Sequence, residues 1–431
     1  MKKPSPRPAK AQVPGLPARR AALKLLDAVL RRGEAMDIAQ HAALQGIVLR
    51  SDKALAIAIA AETLRHLPGL DSLIDSATSQ PLPEDAKARM VLRMMLVQTL
   101  AMRTPPHAAL SSGLDLVQGG PRRLVHGVFG TLSRAKSALP PVTLPEATAA
   151  RWTAHYDADL VAAAAAALAS PPALDLTIGD PRATDEWEQR LGGESLMPGH
   201  VRIARSGPIE DLPGFAEGGW WVQDLAASLP ARLLGAGEGR NVLDLCAAPG
   251  GKAMQLASAG WSVTALDKSR KRIDRLAANT ARTGLTIETI AADVMDWIPK
   301  QPVDAILLDA PCSATGIFRR HPDVLYRVGP PQIAELADVQ AKLLKRTADW
   351  LSPGGRLVYA VCSLEPEEGE AQITRFLANH PNFAIDPVAP SECPEGVAPA
   401  AQGWLRTLPG MLAEKGGLDG FFMARLIHRG G

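Results

Sequence analysis

Residues 241–252 read NVLDLCAAPGGK, an apolar run followed by a glycine-rich turn. The run has the length of a strand, and the glycines allow a tight turn into a helix whose first N–H groups face a ligand. The turn is not a P-loop, because Cys246 and Ala253 stand where that motif needs Gly and Ser or Thr. The G-x-G-x-x-G pattern is also absent, which disfavours NAD and FAD.

Beyond this turn, apolar strand patterns alternate with helical ones. The predicted strands are residues 241–246, 262–267, 286–290, 303–309, 356–362 and 421–427, and the main predicted helices are 269–282 and 331–351. This alternation predicts an α/β, Rossmann-like domain over residues 216–431, with a largely parallel sheet covered on both faces. Ligands bind such sheets at the carboxyl ends of the strands.

Three of the predicted strands are followed by, or end in, an aspartate. Asp267 lies 17 residues after Gly250, where a carboxylate can accept both hydroxyls of a ribose. Asp293 is placed to contact an adenine amino group, and Asp309 ends the fourth strand. Each aspartate alone is more often a helix cap or turn residue. Together, around one glycine turn, they predict a nucleoside-containing cofactor.

Two cysteines also follow predicted strands, Cys312 within DAPCS and Cys362 within VCS. Either thiol alone is best interpreted as a small buried side chain. Two thiols and the Asp309 carboxylate over one crevice instead suit chemistry on cytosine, because a thiolate added to carbon 6 makes carbon 5 nucleophilic enough to accept a methyl group. A carboxyl group at the N3/N4 edge would stabilise the charge that develops in the ring. Cys246 and Cys393 are interpreted as packing residues.

The first third of the chain has a different character. Residues 1–17 are predicted to be a disordered basic tail, and residues 18–140 an all-helical bundle with Phe129 as its one aromatic residue. Residues 1–140 hold 20 Lys/Arg against 10 Asp/Glu, and the remainder 27 against 35. This surplus favours a polyanion bound through its phosphates, although a solvated basic face is the simpler alternative.

The middle of the chain and its composition complete the predicted organisation. Residues 141–215 predict a linker helix and a small α/β subdomain with strands at 174–178 and 200–204. No apolar stretch reaches the ~20 residues that span a bilayer, so we expect a cytoplasmic protein without membrane contact. The 4 cysteines form no C-x-x-C pair, which argues against a disulfide framework or a zinc site, and we expect no metal.

These residues resemble the bacterial small-subunit (16S) ribosomal RNA cytosine-C5 methyltransferases of the RsmB type. The resemblance is carried by residues 222–224, 244–252, 309–323 (DAPCSATGIFRRHPD) and 356–368, and its motifs are specific. Residues 18–140 are similar to the NusB-like RNA-binding domain of this subfamily, and residues 141–215 to its small ferredoxin-like subdomain. The resemblance implies S-adenosyl-L-methionine as cofactor and ribosomal RNA, outside the fully assembled subunit, as partner; we expect a monomer.

The resemblance also implies a role for each motif residue. Cys362 would be the nucleophile, Cys312 would assist product release, and Asp309 would hold the cytosine. The residues implied to line the S-adenosylmethionine pocket are Cys246, Ala247, Ala248, Pro249, Gly250, Gly251, Lys252, Asp267, Asp293 and Asp309. Val361 and Ala253 depart from the pattern, since the family usually has threonine at both positions.

Three basic residues after the Cys312 loop, Arg319, Arg320 and His321, could hold phosphates beside the target base, or could simply form an exposed charged loop. Two alternative functions also stay open at this point. One is methylation of transfer RNA or another ribosomal site, and the other is a non-catalytic RNA-binding role in ribosome assembly.

Overall fold

A computed structural model describes residues 15–205 and 207–430, which form two compact units. The helical unit consists of residues 15–149 together with His321–Arg327, and the sheet unit of residues 150–320 and 328–430. Residues 1–14 of the predicted basic tail lie outside the described residues, and the first helix begins at Leu16, before the predicted start of the bundle.

The helices in chain order are α1 (Leu16–Arg32), α2 (Met36–Ala43), α3 (Arg50–Arg65), α4 (Leu67–Ser76), α5 (Lys87–Leu100), α6 (Pro106–Leu114), α7 (Gly119–Arg134), α8 (Glu146–His155), α9 (Ala158–Leu168), α10 (Thr184–Leu191), α11 (Leu225–Arg232), α12 (Gly251–Ser258), α13 (Arg270–Thr283), α14 (Val324–Arg327), α15 (Pro330–Ala348) and α16 (Glu370–Asn379). The strands are β1 (Leu174–Ile178), β2 (His200–Ile203), β3 (Trp220–Val222), β4 (Asn241–Leu245), β5 (Ser262–Asp267), β6 (Glu288–Ala291), β7 (Val303–Asp309), β8 (Leu351–Val361), β9 (Phe383–Ile385), β10 (Leu405–Thr407) and β11 (Phe421–His428). The predicted α/β class with an all-helical N-terminal region is confirmed.

The helical unit is built around aliphatic side chains. Its core consists of Leu, Ile, Val, Met and Ala from α1 to α7, with Phe129 as the aromatic member. Tyr326 from α14 packs against the same core and donates a hydrogen bond from its hydroxyl to the carbonyl of Leu64, at 2.6 Å. A short stretch that follows the Cys312 loop in sequence therefore belongs to the N-terminal unit in space.

The main sheet has the strand order β10-β11-β8-β7-β4-β5-β6, with β9 paired to β11. Strands β4 to β8 are parallel to their neighbours, and β11 runs antiparallel to β8. From β4 the chain proceeds outward to β5 and β6, then returns to β7 on the other side. The change of direction lies between β4 and β7, and a crevice at the carboxyl ends of these strands is the expected binding site.

Each face of this sheet packs against helices. Alternate residues of β4 divide between the two faces, with Val242 in the core beneath α11 and α12 and Leu243 in the core beneath α15 and α16. The smaller sheet, of order β2-β1-β3, is antiparallel and belongs to the same unit. Within the described residues, no helix is both long and apolar enough to cross a membrane.

Candidate active site

The turn after β4 is shaped by two residues in the left-handed region. Cys246 has a φ of 61° and Gly250 a φ of 105°. A Cβ atom at position 250 would lie 2.7 Å from Cγ of Leu276, so both the dihedral angle and the close approach require glycine there. Because α12 begins at Gly251, the N-terminus of this helix lies at the carboxyl end of β4.

Two neighbouring strand ends bring the predicted catalytic thiols together. β7 and β8 are parallel neighbours with Asp309 opposite Ala360, and the Sγ atoms of Cys312 and Cys362 are 3.4 Å apart. The contact with Cys362, together with burial, raises the pKa of the Cys312 thiol well above its usual value. Cys312 therefore keeps its proton at neutral pH.

A buried cation lies beside the same strand ends. The Nζ atom of Lys252 is 2.7 Å from Oδ2 of Asp309 and 5.5 Å from the ring centre of Phe421. Burial alone would lower the pKa of Lys252, but the Asp309 carboxylate raises it, and the pKa ends above its usual value. The ammonium group is therefore charged, and it neutralises Asp309.

Two cavities open at the carboxyl edge of the sheet. The first, here called the strand-end cavity, has a volume of about 480 Å³. Its walls include six predicted site residues, namely Cys246, Asp267, Asp293, Asp309, Cys312 and Cys362. Lys268, Arg272, Val294, Met295, Val339 and Leu343 also line it and were not predicted. The cavity thus combines three carboxylates with an apolar wall.

The second cavity, here called the turn cavity, has a volume of about 540 Å³. Its walls include the predicted residues Ala247, Ala248, Pro249, Gly251 and Lys252, with Asp309 and Cys362. The turn is therefore divided between two cavities, whereas the sequence assigned all of it to the cofactor. Gly250, the remaining predicted residue of the turn, lines neither of these two cavities. Asp309 and Cys362 line both cavities.

Two of the aspartates also accept hydrogen bonds from backbone N–H groups. Asp267 accepts hydrogen bonds from the N–H groups of Ala248 (3.3 Å) and Ser269 (2.9 Å), and Asp293 accepts one from the N–H of Met295 (2.9 Å). The contacts with Ser269 and Met295 are the turn role that was the alternative to ligand binding. Because both side chains also line the strand-end cavity, the two interpretations are compatible.

One buried carboxyl group near the turn stands out. Asp244 on β4 is fully buried, and neither of its side-chain oxygens finds a hydrogen-bond partner among residues 15–205 and 207–430. Burial, followed by the charge of Asp309, raises the pKa of Asp244 well above its usual value. The Asp244 carboxyl group therefore holds a proton more readily than an ordinary aspartate does.

The basic residues predicted as phosphate contacts after the Cys312 loop are packed against other parts of the protein. Arg319 is 5% exposed and donates to the carbonyl of Gly416, while Arg320 forms ion pairs with Asp224 (2.6 Å) and Asp419. His321 belongs to the segment that packs in the helical unit. The partners come from distant parts of the sequence, so the sequence could not show them. Because Arg320 also lines the turn cavity, the phosphate contacts stay a prediction.

Comparison with known proteins identifies the family of the chain. The family model "16S rRNA methyltransferase RsmB/F" matches residues 231–427, and the model "NusB family" matches residues 16–123. A protein of Klebsiella pneumoniae (strain 342) named ribosomal RNA small subunit methyltransferase B is 34% identical, over 95% of this chain and 98% of its own length. One of the same name from Xylella fastidiosa (strain Temecula1) is 35% identical, over 96% and 98%. The chain belongs to this family.

Membership of the ribosomal RNA small subunit methyltransferase B family settles the enzyme class. The chain is a ribosomal RNA methyltransferase, its cofactor is S-adenosyl-L-methionine, and its N-terminal helical region is NusB-like. The predicted resemblance, enzyme class and cofactor are thereby confirmed.

Solved structures support the fold of this family member. "Crystal Structure of PH0851" aligns with a TM-score of 0.73 at 22% identity, covering 97% of this chain and 100% of that one. NSun6 from Pyrococcus horikoshii, solved with SFG, aligns with a TM-score of 0.58 at 17% identity, covering 68% of this chain and 100% of that one. At these identities the likeness concerns the fold.

One side chain central to the site was missed from the sequence. Glu368 is fully buried and accepts hydrogen bonds from Ser313 and Ser363, the residues that directly follow the two thiols. It lies within the stretch that carries the family resemblance, but a glutamate in the run EPEEGE gives no signal of burial. Only its spatial position beside both strand ends identifies it.

Proposed function

We propose that this methyltransferase adds a methyl group to carbon 5 of a cytosine in small-subunit ribosomal RNA, with Cys362 forming a transient bond to carbon 6. The observation that carries the proposal is the position of Cys362 and Asp309, which line both cavities, with a second thiol 3.4 Å from the first. A cytosine in one cavity and a methyl donor in the other would both contact Cys362 and Asp309.

The strand-end cavity is the proposed site of S-adenosylmethionine. Its volume lies within the range of ~300–1,000 Å³ that is usual for small-molecule sites. Asp267 at the end of β5 is suited to the ribose hydroxyls, Asp293 to the adenine amino group, and Cys246 to packing against the bound cofactor. When bound there, the cofactor supplies a methyl group on a positively charged sulfur.

The turn cavity is the proposed site of the flipped-out cytosine. Asp309 lines this cavity and can hold the N3/N4 edge of the base, while Lys252 provides a fixed positive charge beside the ring. Ala247, Ala248, Pro249 and Gly251 form part of the wall that would face this base. The turn motif therefore serves substrate and cofactor from opposite sides.

The thiols have different proposed tasks. Only a thiolate is nucleophilic, and because the pKa of Cys312 is raised, Cys362 is the better candidate for attack on carbon 6. After methylation, the proton on carbon 5 leaves to a base, the electron pair of that C–H bond forms the C5–C6 double bond, and the C6–S bond breaks to return the Cys362 thiolate. Cys312 is the proposed base. Once Cys362 is bonded to carbon 6, its sulfur no longer raises the pKa of Cys312, so Cys312 loses its own proton to solvent and then, as a thiolate, accepts the proton from carbon 5.

Labelled methyl transfer tests the substrate assignment. The full chain is incubated with labelled S-adenosylmethionine and unmodified small-subunit RNA, large-subunit RNA or transfer RNA, and the modified positions are read by bisulfite sequencing. The proposal predicts label at a cytosine of the small-subunit RNA. Label on transfer RNA alone favours the first alternative, and folded protein that labels none of the RNAs favours a non-catalytic assembly role.

Two substitutions test the covalent mechanism. Cys362→Ala is expected to abolish methylation, because no nucleophile remains for carbon 6. Cys312→Ala is expected to accumulate RNA bound covalently to the protein, visible as a shifted band on a denaturing gel. The double variant is the control, since it should form no such band. A shifted band that persists in the double variant would contradict the role of Cys362.

Three further predictions remain open. We propose that the enzyme acts as a monomer, without a metal ion, in the cytoplasm. In the described part of the chain, no three His, Cys, Asp or Glu side chains are grouped as metal ligands. Dialysis against a chelator is expected to leave methyl transfer unchanged, and light scattering during size-exclusion chromatography measures the oligomeric state.

A further inference from the structure

We propose that Glu368 is a positioning residue that holds Cys312 beside Cys362 and so controls release of the methylated base. The inference rests on the proposed function, because it concerns the second step of the covalent mechanism. It extends that function by assigning the geometry of the thiol pair to a side chain that itself touches neither substrate nor cofactor.

Glu368 connects the backbone segments that carry the two thiols. Its Oε1 accepts hydrogen bonds from the N–H of Ser313 (2.9 Å) and from Nε2 of Gln340 (2.9 Å). Its Oε2 accepts hydrogen bonds from the hydroxyl groups of Ser313 and Ser363, the latter at 2.5 Å. Since Ser313 follows Cys312 and Ser363 follows Cys362, one carboxylate fixes the position of both loops.

The two thiols depend on this carboxylate to different degrees. Cys362 directly follows β8, whose last residues pair with β7 on one side and with β11 on the other. Cys312 lies beyond the end of β7, in a loop held by the two hydrogen bonds of Ser313 to Glu368. Gln340 also donates to the carbonyl of Pro311, at 3.0 Å, and Glu368 in turn fixes Gln340. Loss of Glu368 therefore displaces Cys312 before it displaces Cys362.

The cost of burying Glu368 supports a role beyond packing. The side chain is 0% exposed, and burial raises its pKa, although the hydroxyl and N–H donors oppose that shift. A buried carboxylate with this many partners is weak evidence for stability, because well-packed apolar residues often serve stability as well or better. An apolar residue at position 368 could not accept hydrogen bonds from both loops, so it could not hold them at a fixed separation.

The expected defect is therefore specific to one step. When Cys312 moves away from Cys362, the first methyl transfer continues, but the proton on carbon 5 leaves slowly and the C6–S bond persists. Glu368→Ala is expected to lower multiple-turnover methylation by about 10²-fold, the usual cost of misplacing a reacting group by about 1 Å. The amount of methyl transferred in the first turnover should fall much less, and covalent RNA should accumulate as in Cys312→Ala.

A conservative variant separates position from charge. In Glu368→Gln the amide oxygen can accept from the N–H of Ser313 and from Gln340, and its NH₂ can donate to the hydroxyl oxygens of Ser313 and Ser363, which are able to accept. We therefore expect Glu368→Gln to restore most of the turnover and to trap little RNA. If it traps as much RNA as Glu368→Ala, the role depends on charge and the positioning proposal fails.

A matched control removes a similarly bonded glutamate elsewhere in the sheet unit. Glu392 accepts hydrogen bonds from Arg425 (2.6 and 3.1 Å) and from the N–H of Ala389 (2.7 Å). Glu392→Ala should cost stability without trapping covalent RNA. Equal trapping in this variant would mean that general loosening is sufficient, and it would overturn the proposal.

The measurement uses the full chain, unmodified small-subunit RNA and S-adenosylmethionine, with Cys312→Ala as the reference for trapping. If Cys312→Ala traps RNA and folded Glu368→Ala does not, the inference is wrong and the proposed function stands. If Cys312→Ala traps none and Cys362→Ala stays active, the proposed function fails instead. Should Glu368→Ala not fold, Ser313→Ala removes one of the bonds, and a folded Ser313→Ala enzyme that traps no covalent RNA overturns the inference.

Discussion

The helical unit and the sheet unit each hold a cation against a carboxylate, and the two pairs differ in their surroundings. Arg93 on α5 is 4% exposed and forms a two-pronged contact with Asp71 on α4, at 2.7 and 2.8 Å. Lys252 on α12 pairs with Asp309, which is 30% exposed and lines both cavities. The first pair joins two helices, whereas the second faces the space that we assign to ligands.

The neighbours of the two pairs extend this contrast. Arg89, next to Arg93, is paired with both Asp71 and Asp75, so the charges between α4 and α5 are matched. Beside Asp309, the buried Asp244 has no hydrogen-bond partner among the described residues. Proteins relax the rule of satisfied buried polar groups mainly at functional sites. The contrast teaches that matched charges stabilise the helical unit, and that unmatched carboxyl groups mark the site.

The largest effect, a loss of turnover, is expected from a substitution in the Lys252–Asp309 pair of the sheet unit. Asp309→Asn removes the carboxylate that faces the base, so turnover should fall by about 10²–10³-fold, the usual cost of one electrostatic contact to a transition state. The fold should be retained for two reasons. The amide oxygen of asparagine still accepts a hydrogen bond from Lys252, and the loss of one negative charge reduces repulsion among the neighbouring carboxyl groups. Methyl transfer and thermal unfolding measure the two effects. A variant that loses stability instead of activity would make this pair structural.

In the helical unit, we expect a substitution in the Arg93–Asp71 pair to lower stability and to leave catalysis unchanged. Arg93→Ala removes two hydrogen bonds to Asp71, which keeps its pair with Arg89, and it should lower the free energy of unfolding by about 2 kcal/mol, the usual contribution of a hydrogen bond to a charged group. The chemistry of the folded enzyme should not change. Arg31→Ala, which removes an exposed pair with Asp27 at 3.6 Å, is the control and should cost less than about 1 kcal/mol.

The two units can be followed separately in such experiments. All 8 tryptophans lie in the sheet unit, from Trp152 to Trp404. Tryptophan fluorescence therefore reports unfolding of the sheet unit, while the helical unit contributes strongly to far-ultraviolet circular dichroism. Arg93→Ala should shift the circular dichroism transition more than the fluorescence transition. Equal shifts in both would contradict a role confined to the helical unit.

A third prediction concerns the unmatched carboxyl group. Since the pKa of Asp244 is raised in the folded protein, the folded state holds a proton that the unfolded state has lost above about pH 4. The contribution of Asp244 to stability therefore falls as pH rises from about 4, by up to about 1.4 kcal/mol per pH unit until the pKa of the folded state is reached. Asp244→Asn has no proton to lose.

The measurement is urea unfolding of both proteins from about pH 4 upward, followed by tryptophan fluorescence. The difference in stability between Asp244→Asn and the parent protein should grow as the pH rises. Parallel pH profiles would mean that the pKa of Asp244 is not raised in the folded state, and would remove the main support for the contrast drawn above.

The sequence predicted the parallel sheet and the grouping of six residues that line the strand-end cavity, because both depend on local patterns. β1, β5 and β7 have the predicted bounds, since each is a short apolar run with clear ends. β8 begins at Leu351, before the predicted residue 356, because residues 352–355 read SPGG and look like a turn. In the fold they extend the strand through a register shift opposite β7.

What the sequence could not provide is the pairing of distant residues. The occupied state of Arg320 depends on Asp224 and Asp419, and the place of Glu368 depends on two loops separated by 50 residues. The division of the glycine turn between two cavities follows from backbone dihedrals that the motif does not state. Tertiary contacts decide each of these features, and no local pattern encodes them.

The smallest effect is expected from the segment that follows the Cys312 loop. Tyr326→Phe removes the hydrogen bond to the carbonyl of Leu64 and should cost about 1 kcal/mol. Tyr156→Phe is the matched control, because it removes the bond to the carbonyl of Leu364, at 2.7 Å, within the sheet unit. Tyr326→Phe should shift the circular dichroism transition, and Tyr156→Phe the fluorescence transition. A shift of the fluorescence transition by Tyr326→Phe would mean that His321–Arg327 unfolds with the sheet unit, so that the boundary between the matched and unmatched regions lies elsewhere in the chain.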